Sequence, residues 1–305
     1  MASAAALGAV GRGFKSLCSD CGGRDHLPPF FSLQGKSIMS LLATFYWNPD
    51  PVAFYIPIVN HPVVWYSLFF ALGYLLVYLI VSKLIGPHKK FLESLAWYSF
   101  VGMLLGARLG HVFFYEWDYF KAHPLKILFT WEGGLASHGG AIGILIALWF
   151  FWSKHKRDIP GLTWQKLLDI LTIAIPVAAC CIRIGNFFNQ EILGTATDLW
   201  WGVYFGHPAE ANSIQPCHPV QLYEALFYLL TGGLLYWIYS RYKPTPGKTA
   251  GLFFILIFTF RFFIEFLKLH QTHSDLSGLY MGQLLSIPFI IFGIFLLYCP
   301  RFTRH

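Results

Sequence analysis

Three arginines stand inside long apolar runs of this chain: Arg108, Arg183 and Arg261. A guanidinium placed in hydrocarbon costs ~2.5–3.5 kcal/mol on insertion scales, so each either acts or holds structure. Glu265 follows Arg261 by four residues, which puts both on one face of a helix. His138 opens another apolar run and Tyr66 a further one. Asn186, Asn189 and Glu191 close the run that carries Arg183. Arginine keeps its charge in apolar surroundings and forms bidentate hydrogen bonds to phosphate oxygens. Two or three arginines in an apolar cavity therefore suit a phosphate, and the phosphate found at that depth is a phospholipid headgroup. His138 has the side chain for proton transfer near neutral pH, and it serves equally well as a polar cap on its helix. Structural pairing and snorkelling to the interface remain the plain alternatives for each charge.

The elements that carry these residues follow from composition. Of 305 residues, 56% are hydrophobic and only 12% are charged, against ~25% charged in a soluble domain. Mean hydropathy is +0.53. That excludes a soluble globule, and it excludes disorder. The apolar residues fall into seven runs, 63–85, 93–115, 136–153, 167–187, 222–240, 251–267 and 282–299. Most are long enough for a helix rising ~1.5 Å per residue to cross ~30 Å of hydrocarbon. Backbone groups in lipid must pair internally, so helices are expected, and the alternation of a barrel is absent. The expected fold is an all-α polytopic membrane protein with seven transmembrane helices.

Lys and Arg set the orientation. From Met39 onward, alternate loops and the tail hold twelve basic residues and the opposite set holds three. Basic loops stay in the cytoplasm, so the N-terminus is expected outside and the C-terminus inside. The net charge of +7 thus reads as loop charge and implies a bilayer rather than nucleic acid as the partner. With this orientation Arg108, Arg183, Arg261, His138, Tyr66, Asn186, Asn189 and Glu191 all reach the outer-leaflet level. The outside segment 188–221 is long for a connection and rich in Trp, Tyr and Pro. It is expected to form a head or lid.

Residues 1–38 carry four basic residues and oppose an outward N-terminus. They are expected to be a disordered extension, or to precede the true start at Met39, leaving 39–305 as the transmembrane domain. Cys18 and Cys21 make half a zinc site at best, and Cys180, Cys181 and Cys299 lie in apolar runs as packing residues. Gly35-Lys36-Ser37 and Gly247-Lys248-Thr249 lack the earlier glycine of a phosphate loop. His270 and Asp275 have the spacing of glycerolipid acyltransferases, but that chemistry meets cytosolic acyl-CoA and this loop is expected outside. A transporter would place polar groups near the midplane and repeat its halves, and neither pattern is found. Gly102, Gly106 and Gly110 are spaced by four, as are Gly139 and Gly143, which lets helices approach closely.

Several of these segments carry a resemblance. Gly106-Ala107-Arg108-Leu109-Gly110 with Tyr115, His138-Gly139-Gly140, and the stretch from Arg183-Ile184-Gly185-Asn186 through Asn189-Gln190-Glu191 to Gly194 resemble motifs of the prolipoprotein diacylglyceryl transferases. So do His218-Pro219-Val220-Gln221-Leu222-Tyr223-Glu224, Phe260-Arg261 through Glu265-Phe266, and Met281-Gly282-Gln283 through Pro288. The matches cover about residues 45–300 in the family's order, and Ala107 and Gln190 are small departures. The resemblance implies transfer of the diacylglyceryl group of phosphatidylglycerol to the lipobox cysteine of a prolipoprotein signal peptide. The products are a thioether and glycerol 1-phosphate, in the bacterial inner membrane, with the active site on the outer side and no cofactor or metal. On that reading Arg183 and Arg261 stabilise the leaving phosphate and Asn186 adds a neutral donor. Tyr66 and Arg108 help to bind the lipid headgroup. Glu265 orients Arg261, while Asn189, Glu191 and Gly194 support the site. His138 is the candidate base for the thiol, whose ordinary pKa of ~8.5 leaves it mostly protonated.

Overall fold

The structure is a computed structural model, and it describes residues 45–57, 60–130, 133–209, 215–269 and 279–298. The extension, Cys18, Cys21, Gly35-Lys36-Ser37, Glu210, His270, Asp275 and Cys299 lie outside the described residues. In chain order the elements are β1 (Phe45–Trp47), β2 (Val52–Ile56), β3 (His61–Val64), α1 (Trp65–Ile85), α2 (Lys89–Phe114), α3 (Trp117–Ala122) and α4 (Ser137–His155). They continue with α5 (Trp164–Phe188), β4 (Val203–Phe205), α6 (Val220–Tyr242), α7 (Lys248–Ile264) and α8 (Met281–Tyr298). Each apolar run coincides with one long helix. The short α3 and the four strands were not foreseen.

Among the described residues, three segments have the length and hydropathy to cross a membrane, Trp65–Ile85, Trp164–Phe188 and Lys248–Leu267, and Gly282–Tyr298 is a shorter apolar helix. Large apolar side chains such as Leu75, Trp149, Leu230 and Ile291 lie exposed on the helices. A water-soluble monomer rarely leaves so many large apolar side chains exposed along its helices. The protein is thus a mainly helical membrane protein.

The chain divides into two compact units: His88–Pro160, and the described parts of Lys36–Pro87 and Gly161–His305. In the first, α2 and α4 pack antiparallel along their glycines. A Cβ on Gly106 would stand 2.7 Å from the Gly143 Cα, and one on Gly110 would stand 2.7 Å from the Gly139 Cα. No side chain fits there, so the two backbones touch. At one end of the pair, His155 on α4 bonds Ser94 of α2 through Nε2 at 3.2 Å and Asp158 through Nδ1. Its ring stacks on Phe151.

In the second unit, α1 packs along α5, where Gly73 lies against Ala178 and Cys181 and Gly185 lies under the Tyr66 ring. Ile173 and Cys180 of α5, Ala225, Tyr228 and Leu235 of α6, and Phe253 and Ile257 of α7 form the core. Helices α7 and α8 meet at Gly251 and Gly293. Asp169 near the start of α5 accepts from the backbone nitrogens of Gly247 at 2.8 Å and Ala250 at 2.7 Å, and so caps α7. A smaller cluster of Phe187, Leu193, Val203, Phe205 and Cys217, with Trp47 against it, forms a head. There β1 pairs parallel with β4, while β2 and β3 make a separate antiparallel hairpin.

Candidate active site

The last turns of α5 present Arg183, Asn186 and Asn189. The chain then reverses through Gln190 at φ 53° and Ile192 at φ 57°. Left-handed backbone is unfavourable for a β-branched residue such as Ile192, so strain is held at this turn. The reversal folds Glu191 back on α5. Its backbone nitrogen donates to the Asn186 carbonyl at 2.9 Å. Its carboxylate accepts from Asn186 Nδ2 and from Asn189 Nδ2, both at 3.0 Å. Gln221 of α6 donates to the Glu191 carbonyl at 2.6 Å.

Asn186, fixed in this way, accepts from Arg183 Nη1 at 3.2 Å. Arg183 Nε sits 2.8 Å from Glu224 Oε2, close enough for the charges but off the N–H axis, so the contact is an ion pair and not a hydrogen bond. Glu224 on α6 is wholly buried, at 0% exposure. Its other oxygen lies 3.2 Å from Lys268 Nζ and accepts from the Tyr228 hydroxyl at 3.2 Å. A buried carboxylate needs this much compensation, because an unpaired charge in apolar surroundings is strongly disfavoured.

Lys268 reaches Glu224 because its backbone is sewn to the turn after α5. Thr195 donates to the Leu267 carbonyl at 2.8 Å and Leu269 to the Leu193 carbonyl at 2.9 Å, with Gly194 opposite Lys268. Gly194 allows the close fit: a Cβ there would meet the His218 Cβ at 2.6 Å. Glu265 does not pair with Arg261 as its spacing led one to expect. It lies 3.2 Å from Lys268. The reason is that α7 ends at Ile264 and Glu265–Leu267 tighten into a 3₁₀ turn, in which residues three apart, not four, are eclipsed.

Arg261 is therefore left over. Its guanidinium makes no hydrogen bond or ion pair among the described residues. It is only partly buried and within electrostatic reach of Glu224 and Tyr228. Tyr66 lies over Gly185, within reach of Arg183 and Glu191. The second unit thus brings together Arg183, Asn186, Asn189, Glu191, Gly194 and Tyr66 from one side and Arg261 and Glu265 from the other, around Glu224 and Lys268.

Arg108 belongs to the first unit and is differently employed. Its Nε donates to the Ile127 carbonyl at 2.8 Å, Nη1 to Gly133 at 2.6 Å and Gly134 at 3.0 Å, and Nη2 to Lys126 and Phe129. All five N–H donors of a guanidinium are thereby taken by the loop that joins α3 to α4. His138 is the second residue of α4, and its side chain lies outside the described residues. In the same unit His111 is buried, 3.6 Å from Glu116 through Nε2 and stacked on Tyr115.

A family profile for the prolipoprotein diacylglyceryl transferases matches residues 51–299. The chain belongs to that family. Relatives carrying the name phosphatidylglycerol–prolipoprotein diacylglyceryl transferase include one from Porphyromonas gingivalis, 44% identical over 276 residues, covering 85% of this chain and 95% of the relative. One from Protochlamydia amoebophila is 35% identical over 356 residues, covering 84% and 95%. One from Tolumonas auensis is 42% identical over 258 residues, covering 83% and 96%. The motifs quoted for the resemblance fall inside the matched span, from Gly106 to Pro288.

Of the residues in this family member's network, Lys268 and Tyr228 were not singled out from sequence, and Gln221 and Glu224 stood only inside the quoted motif His218–Glu224, with no role attached. Glu224 had a signal: it is a carboxylate inside the run 222–240, open to the same cost argument as the arginines. Lys268 stands one residue past its run and reads as a loop charge.

Proposed function

We propose that the protein transfers the diacylglyceryl group of phosphatidylglycerol to the lipobox cysteine thiol of a prolipoprotein, the first step of lipoprotein maturation. The observation that carries this reading is an uncommitted Arg261 beside a paired Arg183–Glu224–Lys268 group, in a chain whose relatives bear that name. The thiol loses its proton to a base, for which His138 is the candidate, and its sulfur attacks the glyceryl carbon. The carbon–oxygen bond to phosphate breaks, and glycerol 1-phosphate leaves as charge builds on its oxygens. Donors preorganised at developing charge are a large term in catalysis. Arg261 has donors free for that phosphate. Arg183, held by Glu224 and Asn186, supplies a second positive edge. Tyr66 is read as positioning the headgroup. Asn189, Glu191 and Gly194 hold the turn that aims Asn186, and Glu265 acts through Lys268. Arg108, with its donors occupied, is read as the clamp of its loop and not as a headgroup ligand.

The membrane reading extends this. Seven spans, an outside N-terminus and a cytoplasmic C-terminus would put the Arg183 layer at the outer face of the bacterial inner membrane. The head, with Trp47 donating to the Phe187 carbonyl and Gln190 accepting from His207, would then sit over the site as its lid. The exported signal peptide and its cysteine reach that side. Residues 1–38 have no part in the reaction.

The test is direct. Purified protein in nanodiscs is mixed with phosphatidylglycerol and a lipobox peptide. Release of glycerol phosphate with a matching mass gain on the cysteine is expected. Lipid binding without either product would leave a binding protein, and passage of lipid without modification of the peptide would leave a transporter.

A further inference from the structure

The first turn of α8 is fixed to the end of α7, within the second unit. Carbonyls in the last turn of a helix lack donors of their own, and the Phe262 carbonyl of α7 accepts from Gln283 Nε2 at 3.2 Å. Gln283 is wholly buried, and its Oε1 accepts from the Tyr280 nitrogen at 3.0 Å. Ser286 Oγ donates to the Gly282 carbonyl at 2.6 Å. Gly282 is thereby held beside the 3₁₀ turn that carries Glu265. A Cβ on Gly282 would stand 2.6 Å from the Glu265 carboxyl carbon, and 2.6 and 2.7 Å from its two oxygens. The carboxylate thus lies over the bare Cα of Gly282. Gly293, further along the same helix, meets something different: a Cβ there would stand 2.7 Å from the Gly251 carbonyl oxygen, which is backbone. Packed backbone yields little, whereas a glutamate carboxylate ends a chain of rotatable bonds and swings aside. A methyl on Gly282 would therefore leave α7 and α8 together and displace the carboxylate. Carbon contacts settle at ~3.5–4.0 Å, so the displacement is about 1 Å.

The displaced group is one end of a chain of alternating charge. Glu265 Oε2 lies 3.2 Å from Lys268 Nζ, Lys268 Nζ lies 3.2 Å from Glu224 Oε1, and Glu224 Oε2 lies 2.8 Å from Arg183 Nε. None of these four side chains is more than 14% exposed, so water is poorly placed to stand in for a lost partner. We propose that Gly282 is a positioning residue of the transferase. By leaving room for the Glu265 carboxylate it sets Lys268 against Glu224, and Glu224 sets Arg183. The first turn of α8 then belongs to the active site without having to touch the substrate. The proposal rests on the transferase reading above. Preorganised donors work because they need not rearrange as charge develops. A misplacement of ~1 Å caused far from the chemistry costs ~10²-fold in rate. Arg261 stands outside the chain and still meets the headgroup, so the effect of Gly282 belongs in kcat and not in KM.

The test compares Gly282→Ala, Gly293→Ala, Glu265→Asp and the double variant Gly282→Ala/Glu265→Asp with the wild type. Each is purified in nanodiscs, melted, and assayed for kcat and for KM toward phosphatidylglycerol by glycerol phosphate release. Gly282→Ala is expected to melt with the wild type, keep KM within about twofold and lose kcat about 10–10²-fold. Gly293→Ala overpacks the same two helices against backbone, so it should melt lower with kcat per folded molecule unchanged. Glu265→Asp withdraws the carboxylate by one methylene and makes room for the methyl. Adding Gly282→Ala to Glu265→Asp should therefore change kcat by less than about twofold beyond Glu265→Asp alone. Gly282→Ala overturns the proposal if it melts as low as Gly293→Ala, if its loss falls on KM, or if its loss is equal in the Glu265 and Asp backgrounds. The glycine would then serve packing alone. No turnover by the wild type overturns the transferase reading and this proposal with it. Wild-type turnover with equal turnover by Gly282→Ala overturns this proposal and leaves that reading standing.

Discussion

Glu224 has no exposure and two cations on it, and this separates two arginines that look alike in the sequence. Arg183 is half of a buried pair. Removing one side of such a pair costs ~3–5 kcal/mol because the partner charge stays behind. Arg183→Ala is therefore expected to lower the melting temperature in detergent together with turnover. Arg261 has no such partner among the described residues. Arg261→Ala should insert and melt like the wild type while turnover falls ~10²–10³-fold, the usual effect of removing one donor from developing charge. Melting and glycerol phosphate release on the same samples decide it: normal turnover in folded Arg261→Ala removes that arginine from the chemistry. Much of this site was legible. A charged side chain in an apolar run stands out because its transfer cost demands a reason, and that marks Arg183 and Arg261, with Glu265 following by its four-residue spacing from Arg261. Glu224 stands in the quoted motif His218–Glu224 but carries no basic residue at helical spacing in its own run to mark a role, since its partners Arg183 and Lys268 come from other elements. The partner of Glu265 was not legible at all, since it depends on where α7 tightens by a fraction of a turn, and nothing in Phe263-Ile264-Glu265-Phe266 marks that point.

The helices follow from long runs of apolar residues, and such runs are readable because one physical demand, burial of backbone in lipid, fixes their length. The strands were not readable. Phe45–Trp47 and Val203–Phe205 are three residues each, and what joins them is a partner 158 positions away, which no local pattern encodes. Glycine spacing was readable as close packing and was right about α2 and α4. It has a sharp consequence at single positions. A Cβ on Gly143 would press within 2.8 Å of the Gly106 Cα, whereas one on Gly140 would find its nearest atoms at 3.5 Å, an ordinary contact. Gly143→Ala should cost ~1–3 kcal/mol through overpacking, and Gly140→Ala close to nothing, as read by thermal unfolding. Equal melting of the two variants would show that the pair can slide apart freely. The cap on α7 is a second case. Gly247 has no side chain to satisfy the first N–H groups, and Asp169 supplies the acceptor from another helix. Asp169→Ala is expected to lose ~1–2 kcal/mol or more, since a buried cap and its N–H partners are both affected. Ser94, His155 and Asp158 are linked in the order of a hydrolytic relay, yet Ser94 lies inside α2, where the backbone N–H groups are engaged in the helix and none is left to receive an oxyanion. The linkage reads as a tie between the ends of α2 and α4.

At the scale of the whole molecule the decisive quantity is the distribution of charge along the chain. From Met39 the loops that include Lys154, Lys156, Arg157, Arg241 and Lys243 hold twelve basic residues against three in the opposite set. Anionic lipid and the membrane potential both favour keeping such loops in the cytoplasm. This asymmetry is what would carry Arg183 and Arg261 to the outer leaflet, because both stand in the second half of helices that begin at basic loops. Two exposed positions of opposite assignment report the orientation. Asp198 lies in the basic-free segment after α5, and Lys156 lies in the basic loop after α4; both are exposed. With all six cysteines replaced, Asp198→Cys and Lys156→Cys are introduced singly. A membrane-impermeant maleimide applied to spheroplasts is expected to label Asp198→Cys at once and Lys156→Cys only after lysis. Removing one charge of twelve leaves the asymmetry intact, so Lys156→Cys does not perturb what it reports. Labelling of Lys156→Cys in sealed spheroplasts would invert the orientation. The arginines would then face the cytoplasmic leaflet, the thiol of an exported peptide could not reach them, and the lid role of the head would fall with the outer-face site.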